Sequence, residues 1–142
     1  MTKIKTRRTL ALDWGEKRIG VAFSEGFLAA PRAVIRRKSN AQDYARIADL
    51  VAETGAEVVV MGLPKSLNPD TPIGPQAKRV LKHYRALGQQ LAVPVILADE
   101  SYSTSDAAEF LRQSGRQGKI PIDAAAAAVI LQAYLDKELN QT

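Results

Sequence analysis

The chain has 142 residues, the size of one ordinary domain, and its 46% hydrophobic and 25% charged content is that of a globular protein able to bury a core. It has no cysteine and a single histidine, which excludes disulfides, thiolate metal sites and an imidazole-rich zinc site, so any metal must be held mainly by oxygen. The 20 Lys+Arg against 15 Asp+Glu leave a formal charge of +5, which favours an anionic partner if the cations share one face.

The N-terminal MTKIKTRRT is basic but leads straight into a strand-like run, without the apolar stretch and cleavage site of a signal peptide. No apolar run approaches the ~20 residues that span a bilayer, so the expected setting is the cytoplasm, with no membrane partner. Thr9 to Asp13 is apolar up to an acidic end, and in Arg18 to Ser24 the larger Ile19, Val21 and Phe23 alternate with Gly20 and Ala22. These are two strands joined tightly at Gly15. A third strand falls within Leu28 to Ile35, where Pro31 demands an edge position because it cannot donate to a ladder. Asn40 can cap a helix whose Tyr44, Ile47, Ala48 and Val51 share one face and which Gly55 stops. Glu57 to Gly62, EVVVMG, lacks polar alternation and reads as a central parallel strand covered on both faces.

After the loop LPKSLNPDTPIG, Pro75 suits the first turn of a second helix striped by Ala77, Val80, Leu81, Tyr84, Leu87 and Leu91. Pro94 to Ala98 is a fifth strand. Ser103 and Thr104 stand before Asp106 like a capping box, opening a short helix through Phe110 and Leu111 that stops at Gly115. A last helix runs from about Asp123 to Leu139. Its apolar residues form two faces, one with Ala126, Val129, Ile130 and Ala133 and one with Ala127, Leu131, Tyr134 and Leu135, enough for a sheet plus a neighbouring helix or a second subunit. The order β-β-β-α-β-α-β-α-α implies one α/β domain over residues 1–142, a five-stranded mixed sheet flanked by helices, and matches the RNase H-like fold.

Three acidic positions stand out. Asp13 ends an apolar strand before a glycine turn, Asp99-Glu100 end another, and Asp123 opens the last helix. Taken singly, Asp13 is a turn former and Asp123 a helix cap favoured by the macrodipole. Parallel strands, however, put the first two on one sheet edge, where ligands of open α/β sheets bind. Carboxylates converging there repel one another unless a cation sits between them. Hard oxygen ligands suit Mg²⁺ or Mn²⁺, one ion or a pair, which activate water for displacement at phosphorus. Asp99 and Glu100 point to opposite sides of their strand, so one of the two is expected to coordinate and the other to support it.

Through LALDWGEKRIGVAFSE, VVVMGLPKSLNPDTPIGPQAKRV, ILADESYST and KIPIDAAAAAVILQAYLD the chain resembles the YqgF family over nearly its whole length. The resemblance implies an RNase H-like nuclease associated with maturing the 5′ end of 16S rRNA and, by kinship with RuvC resolvases, with branched DNA. It implies catalytic and metal-binding roles for Asp13, Glu100 and Asp123. Where the family commonly reads DER-L-(T/S)-T, this chain has Asp99-Glu100-Ser101-Tyr102-Ser103-Thr104 and so lacks an Arg. Trp14 stands for a smaller aliphatic residue and Glu25 for an Asp. RuvC-type resolvases also carry an acid on the strand after the first helix, where this chain has only apolar residues and Gly62.

Lys17 and Arg18 follow Asp13 closely and are candidates for phosphate contacts, although Arg18 serves equally well as a partner of a site carboxylate. Gln76, Lys78 and Arg79 open the second helix, whose N-terminal N–H groups favour phosphate. The densest basic run is Arg36-Arg37-Lys38. His83 reads as an exposed helix residue and Trp14 as a packing anchor. The expected partner is nucleic acid, pre-rRNA first, with structured or single-stranded DNA as the rival substrate. A homodimer is needed only for paired cleavage of a junction. A non-catalytic rRNA-binding assembly factor is the reading from another class, and acids facing a phosphate backbone speak against it.

Overall fold

The computed structural model describes residues 7–64, 73–100, 104–113 and 120–139, without the side chains of 100, 104–107 and 110. Strands β1 (Thr9–Trp14), β2 (Arg18–Ser24) and β3 (Ala30–Arg36) come first, followed by helix α1 (Asn40–Thr54), β4 (Val58–Pro64), α2 (Pro75–Gln90), β5 (Val95–Glu100), α3 (Thr104–Gln113) and α4 (Ile122–Leu139). They form a five-stranded sheet in the order β3-β2-β1-β4-β5. β1, β2 and β3 pair antiparallel, whereas β4 and β5 run parallel to β1. The mixed sheet with a central first strand is therefore the one the element order implied. Pro31 sits on the edge strand β3 beside a register shift, where a missing donor does little harm.

Strand alternation sorts the core into two layers. Leu10, Leu12 and Trp14 of β1 join Val59 and Met61 of β4 beneath Tyr44, Ile47 and Leu50 of α1 and Val80 and Leu87 of α2. On the opposite face Ala11, Ala22 and Val60 meet Ala127, Ala128, Ile130, Leu131 and Leu135 of α4. The small residues let α4 lie close to the sheet, and Gly20 is the limiting point. A Cβ there would stand 1.9 Å from the main-chain oxygen of Asp123. The second face of α4 carries α3, through Ala125 and Leu111, so a neighbouring helix covers part of the breadth seen in the sequence.

Four local expectations are corrected. The N-cap of α1 is Ser39, not Asn40: its hydroxyl accepts the Gln42 N–H at 3.1 Å, while Asn40 Oδ1 accepts from Arg37 Nη2. Ala48 is exposed and Leu50 takes the buried place, because the face of α1 turns one step further round the helix. His83 is not exposed. It lies 6% accessible on the buried side of α2, where its spacing with Val80 and Leu87 puts it in the apolar stripe. Finally, β5 continues to Glu100, so the acid pair belongs to the strand itself. Ser103 and Gly115, the expected boundaries of the third helix, lie outside the described residues. Among the described residues no helix is long and apolar enough to cross a membrane.

Candidate active site

Asp13 is the last β1 residue on the α4 face and is paired in register with Gly20 of β2. That pairing builds the site. The glycine has no side chain to hold α4 away, so the helix start rests on β2 and brings Asp123 to Asp13. Burial, and after it the charge of Asp123, push the Asp13 carboxyl up to about 6. Arg18 Nε donates to Asp123 Oδ2 at 2.9 Å across 105 residues of sequence. The turn that aims Arg18 is closed by the Gly15 N–H donating to the Arg18 carbonyl at 2.9 Å. A Cβ on Gly15 would come within 2.6 Å of that oxygen, so glycine is required there too. Of the two roles open to Arg18 in the sequence, the geometry shows the carboxylate partner.

The β5 acids are placed differently. Leu63 pairs with Asp99 and Pro64 with Glu100 in the parallel register, which puts both at the carboxyl end of the sheet. Asp99 is exposed and borders a groove of about 780 Å³ between β5 and α4, together with Ala98, Val129, Ala133 and Tyr134. The side chain of Glu100 lies outside the described atoms. The structure thus brings Asp13, Asp123 and Arg18 together, and among the described residues no three His, Cys, Asp or Glu side chains form a group that could hold a metal ion.

The candidate phosphate-holding residues divide between two places. Lys17 is exposed in the β1–β2 turn, and its carbonyl accepts the Arg37 N–H at 2.9 Å. Lys78 is exposed on the first turn of α2. Gln76 and Arg79 line a pocket of about 220 Å³ shared with Trp14, Gly15, Glu16, Arg37, Val80 and His83, on the α1 and α2 side of the sheet. Within the basic run, Arg36 and Lys38 are exposed but Arg37 is turned inward. Its Nε meets the buried Asp43 carboxylate at 3.1 Å and its guanidinium lies 5.0 Å from the Trp14 ring centroid. Asp43 also accepts the Lys38 N–H at 3.0 Å.

Three residues that shape this region escaped the reading of the sequence. A glycine inside a strand signals close backbone approach, which would have marked Gly20. His83 sits at the spacing of the α2 stripe. Asp43 offers no comparable signal, since an acid in the first turn of a helix is ordinarily a solvated dipole partner.

Solved structures with this arrangement include Thermus thermophilus RuvC, with a TM-score of 0.61 at 13% identity over 94% of this chain and 96% of that one. The yeast mitochondrial Holliday junction resolvase Ydc2 matches with a TM-score of 0.57 at 11% identity, over 99% of this chain and 83% of that one. At such identities they show the fold alone, and it is the RNase H-like fold. Residues 7–137 match the family model for RuvX, Holliday junction resolvase, and the chain belongs to that family, which is also called YqgF. A protein of Caldanaerobacter subterraneus subsp. tengcongensis named "Putative pre-16S rRNA nuclease" is 41% identical over 94% of this chain and 99% of its own length. One of the same name from Dehalococcoides mccartyi is 43% identical over 87% of this chain and 93% of its own length.

Proposed function

We propose that this chain is a cytoplasmic metal-dependent nuclease of one domain that hydrolyses phosphodiester bonds in 5′-end processing of pre-16S rRNA, using Asp13 and Asp123 with Glu100. The observation that carries this reading is the coupled pair at the carboxyl end of β1, where burial and the Asp123 charge hold the Asp13 carboxyl near 6. Such a pair is costly when ionised and suits a hard divalent cation, which offsets both the burial and the repulsion. The relatives at 41% and 43% identity, named for pre-16S rRNA, support the substrate.

Asp13, Asp123 and Glu100 are the residues that would hold Mg²⁺ or Mn²⁺. When bound, the cation supplies Lewis-acid polarisation of the phosphoryl group and a more acidic water. Glu100 is preferred to Asp99 because it stands two positions beyond Ala98, the β5 residue packed against the α4 cluster, and so shares its strand parity with the face of Asp13. Asp99, which borders the groove between β5 and α4, then supports the site without coordinating. Arg18 holds the Asp123 carboxylate in place, and its half-exposed guanidinium keeps further N–H groups for a substrate phosphate. Lys17, Gln76, Lys78 and Arg79 hold neighbouring phosphates and position the strand without taking part in the chemistry.

The family's description favours a second reading, cleavage of a four-way DNA junction, which requires a homodimer with two sites. Digestion of matched pre-16S 5′-region RNA, single-stranded DNA and a four-way junction in Mn²⁺ at one salt concentration separates the readings. Preferred cleavage of the RNA supports rRNA processing, and paired symmetric cuts in the junction support the resolvase. Binding of RNA with no cleavage of any substrate would leave an assembly factor.

A further inference from the structure

Behind the rim that carries Asp13, the pocket between the β1–β2 turn and the start of α2 has several hydrogen-bond donors in its lining, among them Trp14, Gln76, Arg79 and His83. Trp14 is 5% accessible, and its buried Nε1–H has no hydrogen-bond partner among the described residues. His83 is equally enclosed and stacks on Trp14 with ring centroids 4.2 Å apart. Its Nδ1 lies 2.6 Å from the Tyr44 hydroxyl, for which no other acceptor stands among the described residues. With the hydroxyl as donor to Nδ1, the neutral imidazole carries its proton on Nε2 as a second donor. Burial and the nearby Arg37 and Lys82 charges push the His83 pKa down to about 4, so the ring stays neutral at physiological pH.

Above these rings α2 begins without a capping side chain on Gly74 and without an acid in its first turn. Pro75 has no N–H to give, and the helix itself cannot use the N–H groups of Gln76 and Ala77. Arg79 adds a guanidinium, whereas that of Arg37, also on the lining, is already paired with the buried Asp43 carboxylate. Among the described residues the acid that lines the pocket is Glu16, whose Oε1 holds Arg79 Nη2 at 3.1 Å, and both of these side chains are more than half exposed. A group that accepts hydrogen bonds on all sides and carries negative charge fits this arrangement, whereas a base edge would present donors of its own.

We propose that this pocket is a phosphate-binding site that seats one phosphate of the substrate nucleic acid, with Glu16 occupying Arg79 until the phosphate displaces it. Trp14 follows Asp13 directly in β1 and faces the other side of the sheet, so a strand draped over the end of β1 passes from the pocket to the carboxylates. The pocket then sets which bond along the strand reaches Asp13 and Asp123. The inference rests on the nuclease reading, and its test reads binding separately from cleavage.

Trp14 is the single tryptophan of the chain, so its indole N–H gives one cross-peak in a ¹H–¹⁵N spectrum. Wild type, Arg79→Gln and Glu16→Gln are titrated in metal-free buffer with three probes: a short single-stranded RNA, the same RNA with a 5′-phosphate, and inorganic phosphate. Both substitutions fall on exposed side chains, so the variants are expected to fold. The expected result is an indole shift with RNA, affinity about tenfold weaker in Arg79→Gln and about threefold tighter in Glu16→Gln, as loss of a phosphate contact and of its competitor require. An equal shift with both RNAs identifies a backbone phosphate, and a shift confined to the 5′-phosphorylated RNA identifies the terminal one. Saturation by inorganic phosphate with no response to either RNA would overturn the nucleic acid as the source. RNA binding that leaves the indole unmoved, or unchanged affinity in both variants, would overturn the pocket. RNA that moves the indole but survives added Mn²⁺ would leave the pocket standing and sink the nuclease reading. Cleavage with a silent indole would do the reverse.

Discussion

At the scale of single residues, Asp13 and Gly20 decide the site between them. Asp13 ionises near 6 in the fold and at the ordinary 3.8 in the unfolded chain. As pH rises from 3.8 the unfolded chain gives up its proton first, so the metal-free fold loses stability until about pH 6 and stays lower above it. Asp13→Asn is therefore expected to stabilise the metal-free protein by ~2 kcal/mol at pH 7.5 and by almost nothing at pH 3, read by urea unfolding at the two pH values. His83 acts in the opposite sense. Its folded pKa near 4 lies below the ordinary 6.5, so the stability it contributes is complete above 6.5 and is lost as pH falls toward 4. Gly20→Ala is expected to cost ~3 kcal/mol or to displace the start of α4, since the added methyl meets main chain rather than a movable side chain. A wild-type melting temperature with full activity in that variant would contradict the close approach. The acids themselves were legible because each ends an apolar strand or opens an apolar helix. The glycine that couples two of them leaves no mark in a hydrophobic pattern, and its signal is its place inside a strand.

Among the elements, periodicity carried most of the information. EVVVMG lacks polar alternation because β4 is covered by α1 and α2 on one side and α4 on the other, and the sheet shows that burial directly. The residues of α4 read as a helix with two apolar faces, which puts Ile130 with Ala126, Val129 and Ala133, whereas it packs with Ala127, Leu131 and Leu135 against the sheet. The α1 cap was misplaced by one residue. Ser39 and Asn40 are both good caps, and the choice is made by Arg37, which claims the Asn40 side chain and reaches Asp43 from the end of β3. Ser39→Ala is expected to cost about 1 kcal/mol, typical of a lost N-cap, whereas Asn40→Ala should cost less. Thermal denaturation of the two variants side by side checks the order. Asp43→Ala should be the more severe change at this junction, about 3 kcal/mol or more, because it leaves the Arg37 guanidinium and the Lys38 N–H without their acceptor.

Over the whole molecule, the formal charge of +5 acquires meaning only from where the cations stand. Lys17 and Lys78 are exposed around the end of β1 that presents Asp13, whereas Arg37, in the densest basic run, is spent on Asp43 and Trp14. Lys17→Ala and Lys78→Ala are each expected to reduce the slope of log affinity against log salt by about 0.7 for a single-stranded substrate, with metal affinity unchanged. Fluorescence anisotropy over a salt series measures this. The most direct test of the central claim is single-turnover cleavage of pre-16S 5′-region RNA in Mn²⁺ by wild type, Asp13→Asn and Asp123→Asn, all shown to be folded. Wild type is expected to cleave and each variant to lose ~10³-fold, on the order of removing a principal electrostatic group from an active site. Cleavage at the wild-type rate by either variant would contradict the claim.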